Sequence, residues 1–244
     1  MTLITTTPPD VVRGHEIWLE NVKKSGSGGS AFACSLLFGH NMQIDGVADA
    51  KNARAVVIAP DAARHDLVIT ALDTALTMDF QPTFCGEHLI AAEYDAGIYT
   101  VTEAGWHKGP KKDFSNVKRS GHYYQYAKNI VAGISGNVAS HLVGHELEIV
   151  PLAWRQHYHV GDVVSLHVLY EGEALSEGAV TVAVGGDGGN GVDLPIGWDG
   201  MVKFAFQRPG NWMFKVRHTD ANKGVEGLFD EKVITAVFTV LNVH

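Results

Sequence analysis

An all-β fold of two sandwich domains is what this chain predicts, and three observations carry that expectation. Runs rich in Val, Ile, Thr and aromatic residues, apolar or alternating, recur along all 244 residues. Gly, Asp, Asn or Pro punctuates the gaps between them. Only residues 116–133, NVKRSGHYYQYAKNIVAG, leave room for a helical turn, against their own glycines and β-branched residues.

The strand runs follow in order. EIWLENV (16–22), AFACSLLF (31–38), RAVVIAP (54–60), LVITAL (67–72), HLIAAEY (88–94) and GIYTVTE (97–103) make the first series. ELEIVPL (146–152), VVSLHVLY (163–170), AVTVAV (179–184), MVKFAF (201–206), WMFKVRH (212–218) and VITAVFTVL (233–241) make the second. Between the series lies the glycine-rich AGISGN, so the boundary falls near residue 145. The expected organisation is an extension at 1–14, a sandwich at 15–145 and a second sandwich at 146–244, of the usual size of about 100 residues. In the second sandwich, Trp154, Phe204, Phe206, Trp212 and Phe214 are the core candidates.

Composition excludes some functions. A net charge of −8 is wrong for a nucleic-acid backbone as main partner. No apolar run approaches the roughly 18–20 residues of a membrane span, and the start, MTLITTTPPDVV, lacks the basic and apolar regions of a signal peptide. Cys34 and Cys85 could pair or stand as buried thiols. The outlying count is 13 histidines against 19 Lys and Arg together, and imidazole is the commonest metal ligand.

Most motifs have plain readings. GDGGNG (186–191) matches the dinucleotide fingerprint, but VDLPIGW after it is no helix start, so a glycine-rich hairpin loop is expected. There is no GxSxG elbow and no HExxH, so no catalytic residue is assigned. A metallohydrolase would need Glu16 or Glu87 as base, and neither sits in a motif. His141 and His145 are expected in an exposed linker, His157 and His159 on one face beside a solvent-facing turn, and His167 on a sandwich face. His15, His40, His107 and His122 differ: each sits at a strand end or in a loop beside aromatics, in GHEIW, FGHNM, GWHKG and GHYYQY. Strand ends gather at the poles of a sandwich. Converging imidazoles there would suit Ni²⁺ or Co²⁺, with Zn²⁺ and Cu²⁺ also compatible.

The order HEIWLE, FGH, GIYTVTEAGWHKG, HYYQYAKNIVAG, ELEIVPLA resembles one family over nearly the whole chain from residue 14. It is that of the periplasmic accessory proteins of energy-coupling nickel/cobalt uptake transporters. The resemblance implies a transthyretin-like second domain, of the immunoglobulin-like sandwich class. It implies a periplasmic or extracellular protein, not an enzyme, that binds a divalent transition metal and passes it to membrane-embedded transporter subunits. It makes His15 and His40 the leading ligands, with His107 and His122 beside them. The chain departs from the family in having 14 residues before His15; if His15 is internal, its α-amine is not a donor. The rival reading is a structural or adhesive surface protein that forms homo-oligomers when its leader TLITTT adds a strand to a neighbour.

Overall fold

The computed structural model describes residues 15–25, 31–81, 86–131 and 140–244. The 1–14 extension with its TLITTT leader, Cys85 and AGISGN lie outside them. Among the described residues regular structure is strand, apart from three single 3₁₀ turns. The strands are β1 (Glu16–Ser25), β2 (Ala31–His40), β3 (Gln43–Gly46), β4 (Ala53–Ile58), β5 (Arg64–Asp66), β6 (Ile69–Ala71), β7 (Leu76–Phe80), β8 (His88–Thr102) and β9 (Gly105–Lys108). They continue with β10 (Val117–Val131), β11 (Leu147–Pro151), β12 (Val163–Tyr170), β13 (Glu173–Ala174), β14 (Ala179–Val184), β15 (Gly191–Pro195), β16 (Met201–Ala205), β17 (Gly210–Asp220) and β18 (Glu231–Val243).

They form three layers. The first runs β1-β2-β7-β6, with β3 beside β2. The middle sheet runs β15-β14-β17-β18-β10-β8-β4-β5, with β9 beside β8. The third runs β11-β12-β13, with β16 also on β12. The stretch that left room for a helical turn is the 15-residue strand β10. Two of its buried polar residues find partners across the fold: Lys128 pairs with Glu148 at 2.7 Å, and Asn129 donates to Thr239.

The first and second series meet in the middle sheet. β10 and β18 pair in parallel from Gly121↔Glu231 to Asn129↔Thr239, so β18 is covered on both faces and reads as a near-continuous apolar run. β1 lies along this seam. Ile17 and Leu19 pack with β4, β8 and β10, whereas Trp18 packs with Ala183, Met213 and Val237 of β14, β17 and β18. Neighbouring residues on a strand point to opposite faces, so the middle sheet bends around β1 and buries both its faces. Glu16, Ile17, Trp18 and Leu19 are all 0% exposed. The free edge of β1 is answered by side chains of the seam: Thr239 Oγ1 donates to the Leu19 carbonyl and Gln125 Nε2 to the His15 carbonyl. On the far face, β11, β12 and β16 pack Leu147, Val164, Leu166 and Phe206 against Phe214, Ile234 and Phe238. Of the core candidates, Phe206, Trp212 and Phe214 are fully buried, and Trp154 and Phe204 pack against them partly covered.

Because both series build one sheet, the chain should unfold as a unit. Leu36→Ala in one core and Phe214→Ala in the other should each cost about 2–5 kcal/mol and lower the same calorimetric transition. A trace that splits in two would separate the halves.

Candidate functional site

β2 turns into β3 through Asn41 and Met42, with His40 opposite Gln43. Both turn residues have positive φ, 46° and 66°, the combination of a type I′ hairpin. Asn tolerates that region, whereas methionine in it is an outlier that something else must hold. Gly39 is obligatory before the turn, since a Cβ there would lie 1.9 Å from the Gln43 carbonyl oxygen.

What holds the turn is a buried charge. Alternation along β1 sends Glu16 inward, where it has no exposed surface. Its carboxylate accepts the Asn41 backbone N–H and the Lys215 ammonium, the latter at 3.0 Å. Lys215 also donates to Asn41 Oδ1 at 2.6 Å, and Asn41 Nδ2 donates to the Gly189 carbonyl at 2.8 Å. Burial pushes the Glu16 carboxyl above its ordinary range, opposed by Lys215, and pulls the Lys215 ammonium below its own, opposed by Glu16. β1, the β2–β3 turn, β17 and the glycine loop between β14 and β15 are thus tied at one point. That loop is a hairpin connection, with Ala183 opposite Gly191 across it.

His15 faces the other way. Its Nε2 lies 2.9 Å from Asp45 Oδ2 on β3, and its ring sits 5.0 Å from that of Phe38. The register that sets Glu16 opposite Gly39 brings His15 and His40 to adjoining strand ends. His40 is exposed, with Nε2 3.4 Å from Asn41 Nδ2. A cleft of about 300 Å³ opens beside His15, walled by Phe38, Tyr99, Tyr123 and Arg217.

The other two candidate histidines lie elsewhere with partners of their own. His107 on β9 stacks on Phe114 at 5.0 Å and meets Thr102 Oγ1 at 3.1 Å. His122 on β10 meets Asp95 Oδ1 at 2.7 Å and lies 5.3 Å from the Phe229 ring. Among the described residues no three His, Cys, Asp or Glu side chains gather in a metal-holding group. Asp45, absent from the sequence reading, is the acidic partner at the pole. A lone Asp three residues beyond the turn carries no motif that would announce it. Cys34 is a free thiol, buried, and pushed up to about 12 by that burial, so it offers no thiolate. His157 and His159 are exposed and His167 is half-buried.

His145 is not in an exposed linker. It is buried, stacked on Tyr126 at 4.3 Å, and neither ring nitrogen has a hydrogen-bond partner. Burial, with Lys128 and Arg64 nearby, lowers it to about 3.

The family model for DUF4198, a domain of unknown function, matches residues 12–220, and the chain belongs to that family. No curated protein matches it. Among solved structures it is similar to a DUF4785 family protein from Legionella pneumophila, at 9% identity and a TM-score of 0.25, over 78% of this chain and 47% of that one. It is also similar to a biofilm-associated protein's BSP domain, at 10% identity and a TM-score of 0.21, over 94% and 52%. The chain spans about half the length of both. Among the described residues no helix is long and apolar enough to cross a membrane.

Two outcomes follow from the buried groups. Glu16→Gln leaves the Lys215 charge unanswered and should cost about 3–5 kcal/mol in urea unfolding. Adding Lys215→Met should recover most of that, and a double-mutant cycle measures the coupling. His145 has a folded pKa below its unfolded one, so the unfolded chain takes up that proton first. Its contribution to stability is therefore lost as pH falls from about 6.5 toward about 3, on the order of 4–5 kcal/mol in all. His145→Phe keeps the stack on Tyr126 and should flatten that part of the pH profile, read from urea midpoints at pH 7, 5 and 4.

Proposed function

We propose that this member of the DUF4198 family captures a divalent transition-metal ion at the pole formed by His15, Asp45 and His40. The observation that carries the reading is the 2.9 Å approach of His15 Nε2 to Asp45 Oδ2, with His40 on the adjoining strand end. An imidazole and a carboxylate that already converge are a ready pair of nitrogen and oxygen donors, and His40, not gathered with them in this structure, lies on the adjoining strand end. Such a donor set suits borderline ions. Few protein donors at an exposed strand end leave positions for water, so the ion is held loosely enough to be passed on. The Glu16–Lys215–Asn41 network supports the pole from beneath by fixing the turn that carries His40. His107 and His122, each engaged on another part of the fold, stand outside this donor set.

The cargo would be nickel or cobalt, taken up outside the cytoplasm and handed to a membrane transporter, as the resemblance over HEIWLE, FGH and ELEIVP implies. No bond is made or broken in the protein. Neutral imidazoles exchange with the ion's hydration water, and protons compete for the same nitrogens, so capture weakens as pH falls.

Untagged protein titrated with NiCl₂ or CoCl₂ in a calorimeter at pH 7.5 should bind about one ion per chain. His15→Ala and Asp45→Asn should weaken binding at least tenfold, and His107→Ala and His122→Ala should leave it unchanged. At a hundredfold excess of ion over its Kd, wild type should gain about 2.7 kcal/mol of stability, and His15→Ala at the same concentration about half of that or less. Undiminished binding by the His15→Ala, His40→Ala double variant would overturn the reading.

A further inference from the structure

The outer face of the second series holds a slot distinct from the pole, with the glycine loop bordering both. Among the described residues, the middle sheet ends at β15, which pairs only with β14, and the third layer ends at β16, which pairs only with β12. Val192 and Leu194 lie opposite Val182 and Val180 across β14–β15. They therefore share the face that elsewhere forms the core. Val180 and Val182 are buried, but Val192 is 63% exposed and Leu194 only partly covered. The third layer stops short of the strand it should cover. The gap is a cavity of about 520 Å³, floored by Val182, Val184, Leu194, Phe204 and Trp212, inside the usual range for small-molecule sites.

The occupant is narrowed by what surrounds the slot. A strand from another chain would have to pair with the free edge of β15, and that edge is defended. Pro195 removes a backbone donor, and the exposed Asp193 would face its own copy in a symmetric antiparallel pair. A small molecule needs no such edge. The mouth carries Lys203, exposed, and Arg208, 47% exposed and 2.8 Å from Asp187. With one carboxylate against two cations, the mouth is net positive on a chain whose overall charge is −8. Trp212 Nε1 donates to the Arg208 carbonyl, which fixes the aromatic wall to the cationic rim. An apolar interior with a cationic mouth complements a molecule that is apolar at one end and anionic at the other.

We infer that the slot between β14–β15 and β16 binds a small amphipathic organic anion, its apolar body over Leu194, Phe204 and Trp212 and its charged head at Arg208 and Lys203. The site stands independently of the metal reading.

The test uses the full chain with anilinonaphthalene sulfonate as fluorescent probe and decanoate as competitor. Expected is saturable binding at one probe per chain, displaced by decanoate. Arg208→Glu and Val192→Glu change exposed positions, so folding is retained and their thermal melts should match wild type. Each should weaken probe binding at least tenfold. Val68→Glu, at an 80%-exposed site away from the slot, should leave binding unchanged. Absence of saturable binding overturns the proposal, as does equal weakening by all three variants. Loss in Val192→Glu with full binding in Arg208→Glu would overturn the anionic class.

Discussion

A carboxylate with no exposed surface must be answered by a positive charge, and the Glu16–Lys215 contact is where this fold meets that demand. The pair sits where β1, β17 and the β2–β3 turn converge, and Asn41 binds both partners. Alternate residues on a strand face opposite ways, so Glu16 turns toward Lys215 and His15 toward Asp45 at the end of the strand. The same network holds Asn41 and Met42 in the left-handed region that sets the turn beside His40. The interior charge and the imidazoles at the surface are two sides of one arrangement. The dipeptide His15-Glu16 is read correctly only when both are considered.

The bent middle sheet explains why the chain divides cleanly in sequence and not in space. The first layer is drawn wholly from residues before 81 and the third wholly from residues between 147 and 205. Each therefore looks like half of its own sandwich. Their partner sheet is common, joined by the parallel ladder of β10 and β18. A parallel pair needs cover on both faces, and the first and third layers supply it from opposite sides.

The all-β class was legible because alternation and turn residues are local signals. β10 left room for a helical turn because the partners of its buried Lys128 and Asn129 are Glu148 and Thr239, which no window around residue 125 contains. The same reasoning separates the site residues. His15 and His40 could be singled out as imidazoles at strand ends. Asp45 has no pattern, and Lys215 lies 199 residues from the carboxylate it neutralises. His145 looked solvent-exposed beside Gly144, yet tertiary stacking on Tyr126 buries it. His107 and His122 shared the strand-end signature, but Thr102, five residues from His107, and Asp95, 27 residues from His122, engage them.

The position of β1 bears on how the chain acquires its structure. Its contacts reach to Lys215 and Thr239, the latter 220 residues from Leu19. One face of the first strand thus lacks its partners until β17 and β18 exist. Loop closure over such separations is slow, and folding that begins at the N-terminus cannot finish there. Until the final strand arrives, the Glu16 and Trp18 face of β1 lacks its partners. A chain emerging gradually can pair β1 with β2 early, and β18 then closes the structure around the first strand.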